Sequence, residues 1–150
     1  KCHLFKTESA RPRDTVAMND AAHPLTAHPI HLGLGATAEV EPLFTGDMAW
    51  YGGYSERHEA DGAEGRLVSM SDTNGAWGMW EMHPNGAEVV LCTAGTLSLT
   101  QELPEGEKTT VLKAGEYLIN PPGVWHTATE DSAGTAVYIT AGQGTEHRPI

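Results

Sequence analysis

A chain of 150 residues has the length of one ordinary domain, with room for a real core and too little for two. Nine basic residues stand against 20 acidic ones, a formal charge of -11, and only Arg11 and Arg13 approach a basic cluster. A phosphate backbone or an anionic membrane surface is therefore repelled, and neither nucleic acid nor membrane is expected as a partner. The apolar share of 39%, cut by 17 glycines and 9 prolines, leaves few long helical windows and favours an all-β fold. Cys2 and Cys92 form no spaced pair, so no disulfide framework is expected, and Cys92 sits in an apolar run suited to a buried thiol. Without a signal-like N-terminus or a run of about 18 apolar residues, a soluble cytoplasmic protein is the expectation.

In chain order, residues 1–35 are polar and punctuated by proline, with His3, His23, His28 and His31 scattered through them, and read as an extended N-terminal arm. Residues 36–150 read as the folded domain. From Val40 onward, aromatic and β-branched runs alternate with the turn signals Thr45-Gly46-Asp47, Gly52-Gly53, Asp61-Gly62 and Asn85-Gly86. Strands are expected at Arg66 to Met70, Ala76 to His83, Glu88 to Cys92, Thr96 to Gln101, Thr109 to Leu112, Glu116 to Ile119 and Thr135 to Thr140. The tail from Gly142 to Ile150, with His147, reads as a surface tail or a dimer contact.

Chemistry concentrates after Gly75. Alternation along a strand puts Trp77, Met79, Glu81 and His83 on one side, and Gly78, Trp80 and Met82 on the other. The tight connection Pro84-Asn85-Gly86-Ala87 can fold Glu88 back beside His83. A further imidazole stands in Asn120-Pro-Pro-Gly-Val-Trp-His126, where prolines stiffen the approach and Gly123 permits a sharp turn. Carboxylates and imidazoles that converge in an apolar barrel are costly to bury unless a cation or a hydrogen-bond network compensates them.

These segments resemble the two signature motifs of the cupin superfamily. The first motif reads Gly, five residues, His, one residue, His, three or four residues, Glu, six residues, Gly; Gly75, Glu81, His83, Glu88 and Gly95 stand at those places, with Glu81 replacing the first histidine. The second reads Gly, five residues, Pro, one residue, Gly, two residues, His, three residues, Asn; Gly115, Pro121, Gly123 and His126 match it, and Glu130 replaces the asparagine. The resemblance implies a jelly-roll-like barrel, a double-stranded β-helix, whose inner face holds one divalent metal through Glu81, His83, Glu88 and His126.

Glu81 is a ligand or, left free, an acid or base. Two imidazoles and one or two carboxylates suit Fe, Mn or Zn, with Ni or Co as further candidates. Trp77 and Met79 share the ligand face and are candidates for lining a substrate pocket. Arg57, His58 and Arg66 are weaker candidates for binding a substrate carboxylate. The expected function is a metal-dependent small-molecule enzyme, a dioxygenase or an isomerase or lyase, with a homodimer as its assembly. The alternative is a cupin that binds a small ligand without turnover, or one that has lost its metal.

Overall fold

The computed structural model describes residues 20–150; Cys2, His3, Arg11, Arg13 and most of the expected arm lie outside the described residues. Among them ten strands form: β1 Ile30–Gly33, β2 Thr37–Val40, β3 Arg66–Asn74, β4 Met79–Met82, β5 Glu88–Leu103, β6 Gly106–Lys113, β7 Tyr117–Asn120, β8 His126–Ala128, β9 Ala133–Thr140 and β10 Glu146–Pro149. All pair antiparallel, in the order β10, β4, β8, β5, β9, β3, β1, β2, with β6 and β7 also joined to β5. The hydrogen-bonded path is open at β10 and β2. The all-β cupin architecture read from the sequence is the one observed.

The 16-residue strand β5 organises the rest. Its first part pairs with β7 and β9, and its last part with β6 and β8. The two parts meet at a bulge between Cys92 and Ala94, and a bulge bends and twists its strand, so one segment can serve two sides of the structure. The two expected strands Glu88 to Cys92 and Thr96 to Gln101 are thus one continuous strand. Just after the bulge, Gly95 has φ 65°, and a Cβ there would lie 2.2 Å from the Ala133 carbonyl oxygen. Only glycine fits so close a crossing.

The core is the inner face of this framework: Val90, Cys92, Leu97, Leu99, Leu112, Ala128, Ala136 and Tyr138, with Trp77 and Leu118 packed against it. Cys92 is a buried free thiol, as its apolar neighbours suggested.

Three expectations change. Residues 30–33, read as part of the arm, are strand β1, held between β2 and β3. The C-terminal segment read as a surface tail contains β10, whose Glu146–Pro149 pairs with β4. Gly52-Gly53, read as a turn, lies inside helix α1, Met48–Arg57. Each internal glycine costs such a helix about 1 kcal/mol relative to alanine. The helix forms because Asp47 caps it, accepting the Trp50 amide at 2.8 Å, and because Trp50 and Tyr54, one turn apart, stack with centroids 5.8 Å apart and planes 4° from parallel. Trp50 is buried there against Phe44.

The helix is tied to the sheet by a buried carboxylate. Glu41, 2% exposed, accepts two hydrogen bonds from Arg57, at 2.6 and 3.2 Å, and contacts His58 Nε2. Arg57 and His58, weighed from the sequence as substrate-binding groups, are engaged in this network.

Candidate metal centre

Three strands place the cluster: β4 carries Glu81 and leads into His83, β5 begins with Glu88 and β8 begins with His126. Glu81 in β4 faces His126 in β8 as a cross-strand pair. His83 follows one residue beyond β4, and its carbonyl accepts the Gly123 amide at 2.9 Å. That bond docks the Pro121–Gly123 turn, where Gly123 has φ 78°, against the strand carrying the other imidazole. Glu88 opens β5 with Asn120 of β7 on one side and Thr140 of β9 on the other.

The four groups converge. His83 Nε2 lies 3.6 Å from Glu81 Oε1 and 3.5 Å from Glu88 Oε1, and His126 Nε2 lies 3.1 Å from Glu88 Oε2. One ligand atom from each of Glu81, His83 and His126 falls within 4.8 Å of the others. His83 and His126 are about 1% exposed or less, Glu88 is buried, and Glu81 is 29% exposed at the side chain.

Surrounding hydrogen bonds orient the two imidazoles and Glu88. His126 Nδ1 lies 3.0 Å from the Val124 carbonyl, which can only accept, so Nδ1 carries the proton. Thr145 donates its hydroxyl to the Gly142 carbonyl and therefore accepts from His83 Nδ1, at 2.8 Å. Both tautomers are fixed from outside, and both Nε2 lone pairs point inward. Glu88 is held on each oxygen, by Asn120 at 3.0 Å and Thr140 at 2.8 Å.

This arrangement leaves His83 Nε2 and His126 Nε2 buried without a hydrogen-bond partner. A buried polar atom left unsatisfied costs about 1–3 kcal/mol, and here two lone pairs face two carboxylates. A cation between them removes both penalties. Two imidazole nitrogens and carboxylate oxygens form a donor set suited to a first-row dication.

The carboxyls and imidazoles of the cluster shift one another's protonation. Burial and the neighbouring Glu88 push the Glu81 carboxyl above its ordinary value, against the pull of the nearby imidazoles. Burial opposes ionisation of Glu88 as well, but the two imidazoles beside it outweigh burial and hold it well below the carboxylate range. Burial pulls His126 down, but Glu88, 3.1 Å away, together with the Val124 carbonyl and Glu81 raises it, so without an ion a proton on Nε2 competes for the same place.

The cluster opens on a cavity of about 890 Å³ lined in part by Trp77, Met79, Glu81, Glu88 and Tyr138, with Tyr51 and Tyr54 of α1 also on its wall. Met79 and Glu81 alternate on one face of β4 as expected. Trp77 precedes Gly78, whose φ of 77° breaks the strand, so Trp77 and His83 lie beyond the ends of β4 and not in one run with it. Arg66, the third cation weighed for substrate, stands in β3 and is not among the lining residues.

Sequence reasoning missed His147 and Thr145. Pairing of β10 with β4 sets His147 opposite Glu81, with Nε2 3.8 Å from Glu81 Oε1. Neither residue has a fixed spacing to the motifs; only the closing strand brings them in.

A second cluster, His31, His58 and Asp61, gathers near the start of β3. His31 is saturated, with Nε2 at 2.7 Å from Asp61 and Nδ1 at 2.7 Å from the Tyr54 hydroxyl. Its ring stacks on His58 at 3.5 Å and 13°, and His58 in turn contacts Glu41, so both imidazoles are engaged within the protein. His28-Pro-Ile-His31 forms no metal pair: His28 Nδ1 is bonded to the Glu41 carbonyl at 3.0 Å.

Comparison with known proteins places residues 70–142 in the profile of the cupin domain. Among solved structures, a cupin-2 domain containing protein from Shewanella frigidimarina is 23% identical, with a TM-score of 0.42 over 50% of this chain and 69% of that one. Hydroquinone 1,2-dioxygenase from Sphingomonas sp. TTNP3 is 18% identical, with a TM-score of 0.42 over 50% of this chain and 59% of that one. A variant of oxalate decarboxylase from Bacillus subtilis is 17% identical, with a TM-score of 0.47 over 64% of this chain and 26% of that one. No curated protein matches the chain.

Proposed function

The chain belongs to the cupin superfamily, and from that premise we propose that it holds one divalent metal through His83, His126, Glu88 and Glu81 and acts on a small molecule in the adjoining cavity. The observation that carries this reading is the pair of buried Nε2 atoms, each oriented inward from behind and each without a hydrogen-bond partner.

A bound dication supplies Lewis acidity and, where redox-active, electrons. The chain's own residues do the rest. His83 and His126 are oriented by Thr145 and Val124 and would hold the ion through Nε2. Glu88, fixed by Asn120 and Thr140, supplies the buried negative charge that retains it. Glu81 differs from Glu88: it lines the cavity, is partly exposed and has no hydrogen bond of this kind. Glu81 is therefore the group that can reach a substrate and take or give a proton at its carboxylate oxygen. Trp77 and Met79 form the apolar wall beside it.

Elemental analysis after loading with Fe(II), Mn(II) or Zn(II) tests the reading. About one metal per chain is expected, falling to trace levels in His83→Ala and His126→Ala and remaining substantial in Glu81→Gln. A correctly folded wild-type protein that retains no metal from any of the three sinks the proposal. Dioxygen uptake by the Fe(II)-loaded protein then separates an oxygenase from an isomerase or lyase.

A further inference from the structure

The cavity beside the cluster has an unusual charge pattern for a metal-dependent pocket. Among the described residues, no lysine or arginine lines it. Its potential cations are three imidazoles, and each already faces a carboxylate: His31 is 2.7 Å from Asp61, His58 contacts Glu41, and His147 is 3.8 Å from Glu81. Glu81, Glu88, Glu56 and Glu59 add negative charge to the same wall. Counted against a dication, Glu81 and Glu88 leave no net positive charge at the centre; Glu81 is shared there with His147, and Glu56 and Glu59 remain as further negative charge on the wall. An anionic ligand would thus surrender its hydration to a wall with no free cation, and it would be repelled by the rim.

What the wall offers instead is apolar area and neutral dipoles. Phe44, Tyr51, Trp77 and Tyr138 present ring surface, and Ser55 and Ser69 are among its hydroxyls. Aromatic surface with a few neutral donors and acceptors suits an uncharged ring compound carrying hydroxyl or carbonyl oxygen. The volume of about 890 Å³ accommodates more than one ring.

We propose that the cavity is selective for uncharged, ring-bearing alcohols, phenols or ketones and discriminates against carboxylic acids. This names the substrate class of the site described above, and the part of the argument that counts the dication rests on that reading.

A matched pair of probes tests it: naphthalene-2-methanol and 2-naphthoate share a ring system and differ in charge. Saturation-transfer NMR with competition titrations on the metal-loaded full chain is expected to show the alcohol binding at least tenfold tighter. Gln143 is exposed on the cavity wall and makes none of the contacts described above, so Gln143→Arg supplies the missing cation without disturbing the core. It is expected to improve 2-naphthoate binding at least tenfold and leave the alcohol within a few-fold. Equal affinity, preference for the carboxylate, or no saturation transfer to either probe overturns the proposal. Metal content measured on the same samples separates the two readings. Metal-loaded protein that prefers the carboxylate defeats the ligand class and leaves the metal centre standing. Metal-free protein that still prefers the alcohol does the reverse.

Discussion

At the scale of single residues, the geometry of the cluster depends on atoms outside it. Thr145 accepts from His83 Nδ1 while donating to Gly142, so its hydroxyl sets which nitrogen of His83 is free. Thr145→Val keeps the shape and removes the acceptor. Metal affinity is expected to fall about 10–100-fold, measured by competition with a chelating dye, and the apo protein should lose about 1–3 kcal/mol as well, because the buried His83 Nδ1 is left unpaired. Asp61 gives a pH prediction away from the metal. Its hydrogen bond from His31 holds its carboxyl below the ordinary value. A folded pKa depressed in this way contributes stability that is present above the unfolded value near 4 and is lost as pH falls through the folded one. Denaturant titrations of wild type should therefore lose stability on acidification below about pH 4, and Asp61→Asn should show a shallower loss over the same range. An identical pH profile in the variant would show that the His31 contact contributes nothing in solution.

At the scale of elements, α1 and the β5 crossing show what local pattern can miss. Helix α1 has two internal glycines, and its stability rests on the Asp47 cap and the Trp50–Tyr54 stack. Asp47→Ala is expected to cost about 1 kcal/mol, read as a lower denaturation midpoint at unchanged slope. Two glycines of positive φ separate conformational strain from crowding. At Gly78, φ is 77° and an added Cβ meets nothing within 4 Å; at Gly95, φ is 65° and it meets the Ala133 carbonyl at 2.2 Å. Gly78→Ala should cost about 1 kcal/mol, the backbone term alone. Gly95→Ala should cost about 3 kcal/mol or more, since the crossing must also part. Equal effects in thermal denaturation would mean that the β5–β9 crossing yields more easily than its geometry indicates.

At the scale of the molecule, metal and fold are linked. The four inner groups come from β4, β5, β8 and the segment after β4, so an ion bound among them would cross-link strands far apart in the chain. An ion that binds only the folded state stabilises it by about 2.7 kcal/mol at a hundredfold excess over its dissociation constant. A metal-dependent rise in melting temperature is expected, and it should vanish in His126→Ala. An unchanged melting temperature in wild type with metal added would show that the folded state binds no ion in preference to the unfolded chain.

Much of this was legible in order along the chain. Gly75, Glu81, His83, Glu88 and Gly95, then Gly115, Pro121, Gly123 and His126, are motif positions, and their spacing reflects local requirements: strand alternation, a tight turn, a glycine where φ is positive. Those requirements act over a few residues, so sequence alone determined the all-β class, the family and the four groups that converge. Helix α1 was hidden because Gly52-Gly53 outweighs, locally, a cap and a ring stack that act only once the chain is folded. β1, Thr145 and His147 were hidden for a related reason. Their roles arise from pairing with β3 and β4, contacts between segments far apart in sequence that leave no periodic trace. The tertiary structure alone decided which imidazole nitrogens face inward, how Glu88 and Glu81 came to differ in exposure and hydrogen bonding, and that the cavity's cationic groups are already matched by carboxylates. Each of these depends on distance in space, which strand pairing sets and sequence separation does not.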